Sequence, residues 1–122
     1  MSWLNPKSKE HPEEIRAPQL HFVGEQDGPP ERELKERLAD FFRRDQSVKA
    51  AYLARVSYDD PSRISVALCL RTQFGPDHGM AEKIGRIFAA MFGSHEHLDI
   101  VFPTPEQEAA LAKVCASFFS SV

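Results

Sequence analysis

Val48-Lys49-Ala50-Ala51-Tyr52-Leu53-Ala54-Arg55-Val56-Ser57-Tyr58-Asp59-Asp60-Pro61-Ser62-Arg63-Ile64-Ser65-Val66-Ala67-Leu68-Cys69-Leu70-Arg71 reads as two strands around a turn. Side chains alternate along a strand. Val48, Ala50, Tyr52, Ala54 and Val56 therefore share one face of the first run, and Ile64, Val66, Leu68 and Leu70 share one face of the second. Asp59-Asp60-Pro61-Ser62 between them is turn chemistry, since proline presets its own backbone angle and Asp and Ser bond the local backbone. An antiparallel hairpin follows. The opposite faces carry Ala51 and Leu53, then Ala67 and Cys69. Those are too apolar to be fully solvated, so both sides of the sheet need at least partial cover.

Upstream, Leu20, Phe22 and Val23 form a short strand that ends at Gly24. A helix opens at Gly28-Pro29-Pro30, with Asp27 or Gly28 as its cap, because the first helical turn has no use for the donors that proline lacks. Glu31 and Glu33 at its start and Arg43 and Arg44 at its end suit the helix dipole. Its apolar stripe is Leu34, Leu38, Phe41 and Phe42.

Downstream, Gly75-Pro76 starts a second helix with the stripe Ile84, Ile87, Phe88 and Met91 and a stop at Gly93. Leu98 to Phe102 is a fourth strand. Thr104, Pro105 and Gln107 spell a capping box for a third helix that buries Leu111, Val114, Cys115 and Phe118. The expected fold is α/β (α+β): the ferredoxin-like βαββαβ order, a mainly antiparallel sheet, and an extra C-terminal helix on the second sheet face. Residues 1–18, rich in proline and charge, are expected to be a flexible arm before a single domain over 19–122.

Charge and composition exclude several classes of function. A net charge of −3 and a pI near 5.9 give no basic footprint for nucleic acid. No apolar run approaches the ~18 residues of a membrane span. Cys69 and Cys115 fit neither a disulfide framework nor a metal spacing, which points to a reducing cytoplasm.

Few residues suggest catalysis. His95 and His97 project to one strand face with Asp99 beyond them, but His95 and Asp99 would stand roughly 13 Å apart along a strand. A zinc site would need a third ligand from elsewhere, such as His78 or Glu82, so no metal is expected. Cys69 lacks an anion-binding loop, because Gly75 stands where a Cys-x5-Arg cradle would place arginine. Cys115 lies within a helix, away from the N-terminus that would activate a thiol. No glycine-rich phosphate loop and no nucleophile elbow appear. The third strand also lacks the aromatics on which RNA-recognition domains stack bases.

The most distinctive run is Gly24-Glu25-Gln26-Asp27-Gly28-Pro29-Pro30-Glu31-Arg32, at a strand-to-helix junction. Glu25, Asp27 and Glu31 supply three carboxylates where one cap suffices. They are the candidate binding residues, facing an amino group or a basic partner.

This run, followed by Leu34-Lys35 and by Val48 to Val56 with its Ala-Tyr-Leu-Ala core, resembles the C-terminal domain of the SseB family, the "enhanced serine sensitivity" proteins. The resemblance covers about residues 19–122. It implies a bacterial cytosolic protein and carries no catalytic residues; typical members have a further N-terminal domain, in whose place only the short arm is expected here. The expected function is a non-enzymatic protein-interaction module that binds a protein partner or itself, without a cofactor. The alternative is an amino-acid-sensing domain of the ACT type, whose turn carries Asp-x-Pro-Gly where this chain has Asp27-Gly28-Pro29-Pro30. A metal- or thiol-dependent enzyme comes third.

Overall fold

The computed structural model describes residues 20–93 and 95–121. The expected arm lies outside the described residues. The hairpin forms from β2 (Val48–Ser57) and β3 (Ser65–Thr72), antiparallel, with Tyr52 opposite Cys69 and Leu53 opposite Leu68. Its turn is held by the Asp60 carboxylate, which accepts from the Ser62 amide at 3.0 Å and from the Ser62 hydroxyl at 2.7 Å.

Around the hairpin lie β1 (His21–Glu25), α1 (Pro29–Asp45), α2 (His78–Phe92), β4 (Asp99–Val101), α3 (Pro105–Ala112) and β5 (Phe119–Ser120). The chain order of the first six elements is βαββαβ, as expected. In space the strands run sequentially, β1-β2-β3-β4, with β3 and β4 parallel and the other pairs antiparallel. No strand is inserted between β3 and β4, the ends of the α2 crossover, so the interleaving of a split βαβ layout is absent.

The alternation divides the core in two. On one face Ala51, Leu53, Val66, Leu68 and Leu70 pack with Leu34, Leu38 and Phe42 of α1 and Met80, Ile84 and Phe88 of α2. On the other, Ala50, Tyr52, Ala54, Val56, Ala67 and Cys69 pack with Leu111 and Cys115. Both faces are therefore covered, α3 serving the second. A bulge between Val48 and Ala50 breaks the expected pattern: Val48 joins the α1/α2 side rather than the face of Ala50 and Tyr52.

Capping fixes the helices. Asp77 accepts from the Met80 amide at the start of α2 at 3.0 Å. Thr104 and Gln107 form the expected capping box on α3. On α1 the cap is Gly28, without a side-chain bond, so Asp27 does not cap it.

The end of the chain departs from the expected long helix. α3 stops at Ala112, Val114 is exposed, and Phe118 packs on Phe42, across the sheet from Leu111. The reason is a vacant edge. β1 lies along β2 only from Ser57 to Ala54, which leaves the backbone of Ala50 and Ala51 unpaired on that side. β5 fills it, with Ala51 opposite Phe119 and Ala50 opposite Ser120. Unpaired strand backbone is costly when buried, and aromatic residues suit a strand better than a helix. Two strands thus share one edge of β2. No helix among the described residues is long and apolar enough to cross a membrane.

Candidate functional site

The acidic turn sits where β1 hands over to α1. Gln26 continues the β1 pairing by donating its backbone N–H to the Leu53 carbonyl at 3.0 Å. Gly28 then adopts φ 152°, which few side chains tolerate, and its carbonyl receives the Arg32 amide at 2.9 Å.

All three candidate carboxylates are brought into this one turn, and each is engaged within the chain. Glu31 is 3% exposed and accepts from the Gln26 side-chain amide at 2.7 Å. Its expected place on the surface is therefore corrected: α1 turns it inward beneath Gly28. Glu25 receives the Lys35 ammonium at 3.0 Å and the Ala116 amide at 3.4 Å, on separate oxygens. It stands at the junction where β1 ends and the C-terminal segment approaches. Asp27 pairs with Arg32 at 3.2 Å and with Lys35 at 3.4 Å. The Arg32 hydrogen bond, then the Gly28 amide, hold its carboxyl below the usual range. Lys35, only 12% exposed at its side chain, is the cation on which Glu25 and Asp27 converge.

A second cluster ties β4 to the far end of β2. Asp99 accepts from the Tyr58 hydroxyl at 2.7 Å on one oxygen and meets His97 Nε2 at 2.5 Å on the other. Burial, then the negative charge of Asp99, raise the Tyr58 pKa strongly, so its phenol stays a proton donor. His97 and Asp99 do come together. Among the described residues no three His, Cys, Asp or Glu side chains are grouped to hold a metal ion.

A third cluster seats α3. Glu108 accepts from the Tyr52 hydroxyl at 2.7 Å and from Arg71 Nε at 2.9 Å. Desolvation and the Glu108 contact push the Tyr52 pKa up to about 12. Sequence reasoning could not foresee the Tyr58–Asp99 and Tyr52–Glu108 pairs, because the partners lie 41 and 56 positions apart. The one signal was two tyrosines on a face otherwise made of small residues.

The thiols are structural in character. Cys69 is fully buried, and burial drives its pKa far above the ordinary value. Cys115 donates to the Leu53 carbonyl at 3.4 Å, and burial, reinforced by nearby Glu25, raises it to about 11. Both are protonated at neutral pH, whereas a nucleophilic cysteine works as the thiolate.

The family model described as the SseB protein C-terminal domain matches residues 23–119. No curated protein and no solved structure matches the chain. The matched span runs from β1 through β5 and takes in nearly all of the described fold. The chain belongs to the SseB family through its C-terminal domain.

Proposed function

We propose that this domain is a non-enzymatic protein-interaction module of the bacterial cytoplasm that self-associates through the loop between β3 and α2. The observation that carries this reading is Phe74, an aromatic ring 89% exposed at the tip of that loop. The loop is braced on both sides of the ring. The Gln73 amide donates to the Ser47 carbonyl at 3.0 Å, the Thr72 hydroxyl donates to the Gly75 carbonyl, and Gly75 turns the chain at φ 91°. An apolar ring on a preformed loop loses little entropy on docking and supplies a large contact area. Closed homo-oligomers are the commonest assemblies of soluble proteins, which favours a second copy as the partner.

The state of the other groups supports this reading over chemistry: the two thiols are held protonated, Glu25 and Asp27 are paired with the chain's own cations, and Glu31 is bonded to Gln26. The acidic turn is not the contact in this reading, because Lys35 and Arg32 already neutralise Glu25 and Asp27. A photoreactive residue in place of Phe74, Phe74→p-benzoylphenylalanine, tests it. Irradiation of the purified protein at tens of micromolar should yield a covalent dimer. A product that stays monomeric would contradict the proposal.

A further inference from the structure

A cavity of about 660 Å³ opens where the C-terminus of α1, the start of β2 and β5 meet. Its floor is aromatic. The Phe42 ring lies 6.5 Å from that of Phe118 and 5.5 Å from that of Phe119, centre to centre. Phe42 is fully buried, while Phe118 and Phe119 keep part of their surface open. The rim is polar: Lys49, Gln46, Ser120 and Ser121 all line the opening, with Arg43 beside them.

Arg43 is paired with Asp40. Among the described residues the side chains of Lys49, Gln46, Ser120 and Ser121 have no hydrogen-bond or ion-pair partner. The acid–base pairs Glu25 with Lys35 and Glu108 with Arg71 lie elsewhere on the fold. One cation, an amide and two hydroxyls thus line the opening without partners, beside the phenyl rings.

The geometry points to a binding site for a small organic acid, with its carboxylate received by Lys49 and its apolar body laid against Phe118 and Phe119. The chemistry sets the class. Lys49 only donates, and the amide and hydroxyls donate readily, so the ligand is an acceptor with negative charge. The phenyl floor calls for an apolar body, and the volume lies in the range of small-molecule sites. A dianion such as phosphate fits less well. Among the described residues Lys49 is the one unpaired cation of the lining. The partial negative charge at the carbonyl end of α1 opposes a second negative charge that Lys49 does not offset. The opening shares no lining residue with the Phe74 loop, and its failure to bind would leave the self-association reading untouched.

The test is an amide NMR titration of the full chain with phenylacetate, its neutral isostere phenylacetamide, and inorganic phosphate as probes. Phenylacetate should shift the amides of Gln46, Lys49, Ser120 and Ser121 saturably. Phenylacetamide should bind about tenfold more weakly, the loss expected of one charge-assisted hydrogen bond. Lys49→Gln should fold normally, since its side chain holds nothing in place, and should lower phenylacetate affinity about tenfold while leaving phenylacetamide affinity unchanged. The inference is overturned if phenylacetate produces no saturable shift or shifts other amides. Equal binding of acid and amide, an unaffected Lys49→Gln, or tighter binding of phosphate at these amides would also overturn it.

Discussion

Gly28 and Glu31 close against each other at the start of α1, so tightly that a Cβ on Gly28 would lie 2.5 Å from Oε1 of Glu31. The buried carboxylate and the bare glycine are one device. Gly28 supplies a positive φ of 152° and leaves the space into which the acid folds, while Gln26 donates to that acid from the end of β1. The handover from strand to helix is locked by the same residues that make the turn look acidic in the sequence.

Gly28→Ala should therefore be harmful for two reasons, a strained backbone and a displaced Glu31. The expected loss is about 1–3 kcal/mol. Urea denaturation of wild type and variant measures it. A change under about 0.5 kcal/mol would mean that the turn relaxes freely.

Glu31→Ala should cost about 1–3 kcal/mol, because the half-buried Gln26 amide loses its partner. Glu31→Gln should cost less, since its carbonyl still accepts. Surface acids behave differently: Glu33→Ala, on the exposed face, should stay within about 0.5 kcal/mol. The ranking of the three melting temperatures checks the claim.

Alkaline pH should weaken the fold through the buried thiols. Cys115 has an ordinary value of 9.0 and stands at about 11 in the folded chain. A group raised on folding contributes stability that is fully present below its unfolded pKa and is lost as pH rises through the folded one. Stability should thus decline between about pH 9 and pH 11, and Cys69, raised further by its deeper burial, should steepen the decline. Cys115→Ala should give a shallower slope over that window in a series of denaturant melts at fixed temperature. A slope identical to wild type would contradict the assignment.

Tyr58→Phe removes one of the two contacts on Asp99 and should cost about 1–2 kcal/mol. Asp99 keeps His97, so β4 should remain paired with β3. Loss of amide protection at β4 in hydrogen exchange would show instead that the tyrosine alone holds the strand.

How much of this was legible depended on the distance over which each signal acts. Period-two alternation from Val48 to Arg71 located the hairpin and predicted cover on both faces. Thr104 and Gln107 announced the start of α3 within four residues. The end of that helix was not legible, since what stops it is the open backbone of Ala50 and Ala51, more than sixty positions earlier in the chain. Periodicity placed Leu111, Val114, Cys115 and Phe118 on one stripe, while the edge of β2 drew Phe118 and Phe119 across to the other face. The acidic turn was recognisable as a run of residues but not as a closed network. Its cations, Arg32 and Lys35, lie on the next helix turns, and the depth of Glu31 follows from the φ of one glycine. Phe74 passed unremarked because exposure of a single aromatic leaves no trace in composition or period.

Sedimentation velocity over a concentration series measures the proposed association of two copies through Phe74. Wild type should shift from monomer towards dimer as concentration rises from about 1 µM to about 100 µM, a range suited to a modest interface. Phe74→Ser should remain monomeric throughout with an unchanged melting temperature, since an exposed ring contributes little to folding. Wild type that sediments as a monomer at every concentration, or a Phe74→Ser variant that dimerises as wild type does, would rule out self-association through this ring.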